Sequence, residues 1–267
     1  MTDALTVAIS PCPNDTFIFA AWILGRIPER LERPVRFVWA DVEELNQAAA
    51  EERYDVVKMS AAASLGLTQT YTVLDSGAAF GKGAGPKLVV RPGAPKAPKT
   101  VAVPGLGTTA YTVLRAALPT GFTAVPMLFS DIVDAVRQGE VDAGLVIHET
   151  ALVYERYGLE LRMDLGAWWK EQGEEAPIPL GVIAARTALP KAERDAITES
   201  IRSSILHARA HREDIWPLVR TLAQEMDDET LERHIAAYVD DLSVDMSGAG
   251  RCALKRLSQL ASGASIG

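Results

Sequence analysis

The stretch Ser10-Pro-Cys-Pro-Asn-Asp-Thr16, directly after the apolar run Leu5–Ile9, decides the fold of this chain. Its two prolines exclude a strand or helix interior, because proline lacks an N–H and has a fixed φ. Asn14 and Asp15 can cap a following helix, which we predict over 16–25. A strand, a rigid polar turn and a capped helix in this order aim backbone donors and short side chains into one crevice. Open α/β sheets bind their ligands in such crevices.

Short strands and helices alternate along most of the chain. In the first block we predict strands at 4–9, 35–39, 54–59, 72–75 and 87–91, helices at 16–25, 42–52 and 60–68, and a glycine-rich loop at 81–85. After the proline-rich connector 91–99, a second block predicts strands at 100–104, 123–128, 142–147 and 160–164 and helices at 109–118, 130–138, 149–157 and 165–172. A strand at 180–185 then precedes a helical tail at 191–211, 213–225, 228–239 and 247–262.

Two successive blocks of similar design predict an α/β fold of two lobes that close on a central cleft. We expect the first lobe to comprise residues 1–90 together with 182–267, and the second lobe residues 91–181. The strands at 87–91 and 180–185 would join them. The C-terminal helices would then complete the first lobe.

The charge balance limits the partners of the protein. The chain has 27 basic and 35 acidic residues, a formal net charge of −8. No run of Lys and Arg is interleaved with aromatic residues, so we expect no nucleic-acid partner. Because the overall field repels anions, an anionic ligand would have to be attracted locally, by helix N-termini and backbone amides.

The cysteines and the N-terminus indicate the compartment. Cys12 and Cys252 are too few and too far apart for a disulfide framework, and they match no zinc spacing. The N-terminus lacks the basic start of a signal peptide. The longest uncharged run, 59–74, is rich in Ser, Thr and Gln, so we expect no membrane segment. We therefore expect a cytoplasmic protein, whose oligomeric state the sequence leaves open.

His148 is the sharpest catalytic candidate. It follows the apolar strand residues 143–147, and it is the one histidine of four that lies outside the helical tail. An imidazole with an ordinary pKa of about 6.5 can accept a proton near neutral pH. The adjacent Glu149 could orient the ring. An equally weighted alternative is that His148 only caps the next helix.

Two further segments end predicted strands with polar groups. Thr108 and Thr109 follow Gly105 and Gly107, where a helix N-terminus can present N–H donors to an anion. Lys58-Met59-Ser60 closes the third strand. The alternatives are that these hydroxyls merely cap helices and that Lys58 extends to solvent. With the turn residues, the predicted substrate contacts are Ser10, Asn14, Asp15, Lys58, Met59, Ser60, Thr108 and Thr109.

Three other patterns are weaker. The spacing Gly105-x-Gly107-x-x-Ala110 fits part of a dinucleotide fingerprint, but Asp131 falls in a predicted helix rather than at a strand end. Cys12 could be a nucleophile near a helix N-terminus, but packing is the favoured interpretation. His207 and His211 have a metal-binding spacing, yet their neighbours favour a solvated helix face.

Five motifs occur together and in order: Ser10-Pro-Cys-Pro-Asn-Asp-Thr-Phe-Ile-Phe19, Gly81-x-Gly-x-Gly-Pro86, Val103-Pro-Gly-x-x-Thr-Thr-Ala-Tyr111, Gln138-Gly-Glu-Val-Asp-Ala-Gly-Leu-x-Ile-His-Glu149 and Asp164-Leu-Gly-Ala-Trp-Trp169. Through them the chain resembles the 1,4-dihydroxy-6-naphthoate synthases. These are lyases that act on cyclic dehypoxanthine futalosine in the futalosine route to menaquinone. The resemblance covers most of the chain and is densest from about 5 to 186.

The resemblance implies a fold like that of type II periplasmic binding proteins, without export. It implies that His148 is the proton acceptor and that Lys58-Met59-Ser60 and Thr108-Thr109 contact a small carboxylate substrate. It implies a reaction without cofactor or metal, in which proton removal leads to fragmentation and aromatisation. Two alternatives are a chorismate dehydratase on the same scaffold and a non-catalytic protein that binds small anions.

Overall fold

The computed structural model describes residues 4–118, 121–172, 177–223 and 227–263. The strands in these ranges are β1 (Leu5–Ile9), β2 (Val35–Trp39), β3 (Val56–Ser60), β4 (Tyr71–Val73), β5 (Ala79–Gly81), β6 (Lys87–Val90), β7 (Thr100–Val103), β8 (Thr123–Pro126), β9 (Ala143–Val146), β10 (Glu160–Asp164) and β11 (Ile178–Arg186). The helices are α1 (Pro13–Ile23), α2 (Val42–Ala50), α3 (Ala61–Ser64), α4 (Thr109–Ala117), α5 (Ile132–Gln138), α6 (Thr150–Val153), α7 (Leu165–Glu171), α8 (Lys191–Ala210), α9 (Arg212–Leu222), α10 (Asp228–Tyr238), α11 (Asp241–Val244) and α12 (Ser247–Ala261).

The strands form two mixed sheets, one in each lobe. The first has the order β2-β1-β3-β11-β4, with β5 also paired to β11, and the second has the order β10-β6-β9-β7-β8. In the first sheet β1 runs parallel to β2 and β3, and in the second sheet β7 runs parallel to β8 and β9. The returning strands run antiparallel, as β11 does to β3 and β6 does to β9. The predicted α/β class with two lobes is confirmed.

Strand pairing divides the chain at different residues from those that the sequence predicts. β6 lies wholly in the second sheet, because Lys87 and Val90 pair with Val146 and Ala143. The start of β11 lies in the first sheet, because Gly181 pairs with Ser60. The second sheet thus begins by Lys87 and the first sheet resumes by Ile178, whereas the sequence predicts boundaries at residues 90 and 181. A strand pattern shows that residues are extended, but it does not show which sheet they join.

Several predicted elements differ at their ends. α1 begins at Pro13, because proline fits the first helical position, and no side chain caps it. Asn14 and Asp15 are consequently buried residues of its first turn rather than caps. β5 overlaps the predicted glycine loop only at Gly81, and the predicted helix 149–157 is α6 followed by a 3₁₀ turn at 154–157. Helix 60–68 shortens to α3. The end of the predicted helix 213–225 and both chain termini lie outside the described residues.

The core explains why α1 is fixed against the first sheet. Its residues from Pro13 to Ala21 are all buried, and Ile18 and Phe19 are completely inaccessible to solvent. α8, α9 and α10 pack on its other faces. Each such apolar side chain contributes about 1.5–3 kcal/mol when buried. The turn at Ser10–Asp15 is thus held rigidly from both ends. None of the described helices has the length and apolar character that a membrane crossing needs.

Candidate active site in the cleft

One cleft between the sheets collects every predicted site residue. It encloses about 680 Å³ of empty space, its open mouth included. It lies where the chain leaves β1, β3, β7 and β9, the strand ends at which α/β sheets bind ligands. Its polar lining comprises Ser10, Asn14, Asp15, Lys58, Ser60, Thr108, Thr109, His148 and Tyr238, with Met59 beside them. The sequence did not predict Tyr238.

His148 is held in a special backbone conformation at the end of β9. Its φ is +53°, in the left-handed region that few residues other than glycine adopt. The ring meets the edge of Phe129 with centroids 5.1 Å apart. Among the described residues, no side chain caps α6, whose N-cap is Glu149. The capping alternative is therefore wrong, and the half-buried imidazole lines the cleft.

Lys58 does not extend to solvent, and its charge is not left for a ligand. It is buried and forms an ion pair with Asp15, which is 1% exposed. The same carboxylate accepts hydrogen bonds from Ser10 Oγ at 2.7 Å and from Asn14 Nδ2 at 3.0 Å. Low local dielectric strengthens a fully paired network of this kind and penalises any unpaired member. The first-lobe wall of the cleft is therefore a fixed polar surface.

His234 is a site residue that the sequence analysis missed. It is fully buried, and its Nε2–H donates to Asn14 Oδ1 at 2.9 Å. Burial, followed by the nearby His148 and Lys58, holds the pKa of His234 well below its usual value. The ring is therefore neutral at physiological pH. A signal was present, because Leu231, His234, Ile235 and Tyr238 recur at helical spacing and form the buried face of α10.

Cys12 is not an activated nucleophile. Burial, followed by the Asp15 carboxylate, raises the pKa of its thiol well above the usual value. Its Sγ lies 2.6 Å from Ser10 Oγ. A thiol reacts as the thiolate, so a raised pKa makes it inert near neutral pH. The packing interpretation of Cys12 is the one that the structure favours.

The two threonines have different partners. Thr108 caps α4, since its Oγ1 accepts from Tyr111 N at 3.2 Å and donates to Gly105 O at 2.8 Å. Thr109 connects the lobes, since its Oγ1 accepts from Ala62 N and donates to Leu180 O, each at 3.0 Å. Thr109 therefore holds the start of α4 against α3 and β11.

Asn46 and Glu43 on α2 are further residues that the sequence did not single out. Asn46 accepts from Ser60 N at 2.8 Å, and its Nδ2 reaches Ser60 Oγ at 3.1 Å and Glu43 Oε2 at 3.0 Å. Glu43 Oε1 accepts from Gly107 N at 3.2 Å, across the cleft. This bond requires a close approach, because a Cβ at Gly105, whose φ is +139°, would overlap the Glu43 carboxylate.

The Glu43 contact bears on the dinucleotide pattern. A dinucleotide places its pyrophosphate on the glycine loop that precedes the helix. Here the carboxylate of Glu43 occupies the N–H of Gly107, the second glycine of the pattern. An anion at the same position would meet a negative charge. The glycines serve a contact between lobes, which disfavours dinucleotide binding.

The comparisons with known proteins show the family of this chain. The family model described as menaquinone biosynthesis matches residues 5–263. The chain belongs to this menaquinone biosynthesis family. Within the family, it is similar to the 1,4-dihydroxy-6-naphthoate synthase of Thermus thermophilus, with 43% identity over 256 residues that cover 96% of this chain and 93% of the relative. A synthase with the same name from Streptomyces coelicolor is 38% identical over 261 residues, which cover 96% and 92%.

Solved structures support the fold of this family member. A protein from Archaeoglobus fulgidus superposes with a TM-score of 0.92 at 34% identity, over 97% of both chains. A Candida albicans protein described as having the generic periplasmic binding protein fold gives a TM-score of 0.73 at 14% identity, over 97% of this chain and 90% of that one. At that identity the likeness concerns the fold alone. The periplasmic-binding-protein-like fold is confirmed.

Proposed function

We propose that this family member converts cyclic dehypoxanthine futalosine to 1,4-dihydroxy-6-naphthoate, and that His148 removes the proton that starts the reaction. The observation that carries the proposal is the position of His148, a half-buried imidazole at a strand end that faces the cleft. The family and the two curated synthases support the substrate. The cleft is a concave site lined by apolar side chains and a few polar groups, as small-molecule sites are.

The start of α4 supplies the binding site for the substrate carboxylate. Thr109 and Ala110 are its first two residues and both line the cleft. N–H groups in the first turn of a helix have no partner within the helix, and the helix dipole attracts an anion there. A carboxylate bound at this position would lie opposite the first-lobe wall, within the same cavity as His148. The fixed Lys58–Asp15 network would then shape the cavity without supplying a free cation.

The reaction needs little beyond geometry and proton transfer. His148 takes a proton from a carbon of the substrate and becomes an imidazolium. The ring system then fragments, the sugar carbons leave, and the product becomes aromatic. The gain of aromaticity supplies much of the driving force, so no group in the protein has to be oxidised or reduced. Closed lobes would exclude water from the intermediates. The protein is thus a carbon–carbon lyase that uses no cofactor.

Turnover of the cyclic nucleoside by purified protein tests the proposal. We expect the absorbance of the naphthoate to appear, with its mass confirmed by mass spectrometry. His148→Asn should reduce turnover at least about 100-fold, because a positioned base contributes 10²–10⁴-fold. Substrate binding should persist in that variant. His211→Asn, at the exposed residue that follows α8, is the matched control and should leave turnover unchanged.

Each possible failure has a separate meaning. Full activity of His148→Asn would contradict the assignment of the base but not that of the substrate. Absence of product from the wild-type protein would contradict the substrate. Incubation with chorismate completes the experiment, because loss of water from chorismate would favour the dehydratase alternative.

A further inference from the structure

Two buried hydrogen-bond acceptors face each other beside His148. They are Nδ1 of His234 and Oε2 of Glu149, which lie 3.9 Å apart. Among the described residues, neither atom has a hydrogen-bond partner, and neither is accessible to solvent. A buried polar group without a partner costs about 1–3 kcal/mol. Two such atoms aimed at one point therefore indicate a missing group between them.

The hydrogen bonds of Asn14 show which ring nitrogen of His234 is left without a partner among the described residues. Asn14 donates its amide hydrogen to Asp15, so its Oδ1 is the atom that accepts from His234 Nε2–H. In a neutral imidazole the other nitrogen then carries a lone pair. The Nδ1 of His234 is this other nitrogen, and it lies 3.9 Å from the carboxylate oxygen Oε2 of Glu149. A cation satisfies two acceptors that face each other.

His148 adds a third ligand atom to this pair. One ligand atom each from His148, Glu149 and His234 lies within 4.8 Å of the others. Two imidazoles and one carboxylate form a donor set that d-block cations such as Zn²⁺ prefer, with the fourth position left open. We propose that His148, Glu149 and His234 form a binding site for one divalent d-block cation, which competes with the substrate for the imidazole of His148.

The separations fit a cation of this size after a small adjustment. Bonds of about 2.0–2.1 Å place the ligand atoms of a tetrahedral zinc ion roughly 3.3 Å apart. The three side chains must therefore close by on the order of 1 Å. His148 and Glu149 can make this movement, because both are only partly buried and lie at the start of a short helix.

A supporting hydrogen bond is already in place. Metal-bound imidazoles commonly donate their second N–H to an oxygen acceptor, which fixes the ring and raises its basicity. His234 donates in this way to Asn14, which Asp15 holds in turn. By contrast, the rings of His207 and His211 stack with centroids 4.5 Å apart at the C-terminal end of α8, and His207 Nε2 lies 3.2 Å from Asp214 Oδ2. That pair provides a surface comparison.

The consequence for activity rests on the proposed function. A cation bound to His148 occupies the lone pair that would accept the substrate proton. The metal-free protein is then the active form, and Zn²⁺ is an inhibitor that a chelator reverses. The site does not supply a cofactor for the reaction.

Binding of Co²⁺ and Zn²⁺ to the chelator-treated full chain tests the site without requiring turnover. We expect one Co²⁺ per chain with intense visible absorption bands, and displacement of Co²⁺ by Zn²⁺ in calorimetry. Glu149→Gln and His234→Gln should each weaken binding at least about 10-fold. His211→Gln should leave both the spectrum and the affinity unchanged. If His234→Gln does not fold, Glu149→Gln decides, because it replaces one partly exposed side chain by an amide of the same shape.

Three results would overturn the proposal: no bound cation, binding that is lost in His211→Gln, or binding unchanged in both Glu149→Gln and His234→Gln.

Turnover provides a separate measurement. Zn²⁺ should inhibit the wild-type protein and inhibit Glu149→Gln at least about 10-fold less potently. If the metal-free protein makes no naphthoate but binds Co²⁺ as described, the proposed function fails and the cation site stands.

Discussion

The two walls of the cleft are built on different principles. On the first-lobe wall, Lys58, Asp15, Asn14 and His234 form one buried chain of polar contacts. On the second-lobe wall, His148 and the glycine loop before α4 have left-handed or unusual backbone angles and partly exposed side chains. The first wall is a fixed reference surface. The second also has hydrogen bonds that cross the cleft, through Thr109 and Glu43.

The difference separates two requirements of a closing site. Groups that must keep one geometry are buried and mutually bonded, so that their arrangement does not depend on ligand. Groups that must approach the ligand are attached through a few bonds that can break and form again, such as those of Thr109 and Glu43.

The largest expected loss of stability comes from a substitution in the buried network of the first-lobe wall. Lys58→Met leaves Asp15 buried without its cation, and such a loss costs about 3–5 kcal/mol. Urea unfolding should show it as a lower midpoint. Lys191→Met is the matched control, because Lys191 and Asp195 form an exposed pair on α8 that is worth less than about 1 kcal/mol. The double variant Lys58→Met with Asp15→Asn should recover part of the loss. Equal effects of Lys58→Met and Lys191→Met would contradict the fixed wall.

The next effect acts on the glycine loop. Gly105→Ala meets two obstacles, a φ of +139° and the carboxylate of Glu43. Gly121→Ala meets only the unfavourable backbone angle, because the φ of Gly121 is +99° and nothing lies within 4 Å of an added Cβ. Gly105→Ala should therefore cost about 1–3 kcal/mol more than Gly121→Ala in thermal unfolding. Adding Glu43→Ala should remove that excess. An unchanged excess would show that Glu43 does not constrain the loop.

A pH dependence sharpens the comparison at His234. Its pKa is well below the usual value in the folded state, mainly through burial, and about 6.5 in the unfolded chain. Below pH 6.5 the unfolded chain therefore binds one proton more than the folded protein. The contribution of His234 to the free energy of unfolding is complete above pH 6.5. It is lost as the pH falls below 6.5, by up to about 1.4 kcal/mol per pH unit. The thermal midpoint should show this slope, and His234→Gln should reduce it. The exposed His211→Gln should retain it; equal slopes in the two variants would exclude His234 as the source.

Sequence patterns predicted the walls but not how they are held. Every predicted side chain lines the one cleft, because strand ends in an α/β sheet meet at the same edge. Sequence patterns did not identify His234 as a site residue, because periodicity reveals a buried helix face without showing what that face packs against. The hydrogen-bond partner of His234, Asn14, is also distant in sequence. Glu43 was not predicted as a site residue for a related reason. A polar residue in the first turn of α2 is typical of any helix, and its bond to Gly107 depends on how the lobes meet.

The smallest expected effect separates capping from closure in the adjacent threonines. Thr109→Val removes two hydrogen bonds that join the lobes, each worth about 0.5–1.5 kcal/mol. Thr108→Val removes a helix cap within the second lobe, a loss of about 1 kcal/mol. In urea, Thr109→Val should therefore lose about 1–3 kcal/mol and Thr108→Val about 1 kcal/mol. They should differ in shape, because only Thr109→Val weakens the contact between lobes. Small-angle X-ray scattering should then show a larger radius of gyration for Thr109→Val and an unchanged one for Thr108→Val. Equal radii would mean that Glu43 and the remaining contacts suffice to keep the cleft closed. The position of the second-lobe wall would then not depend on Thr109.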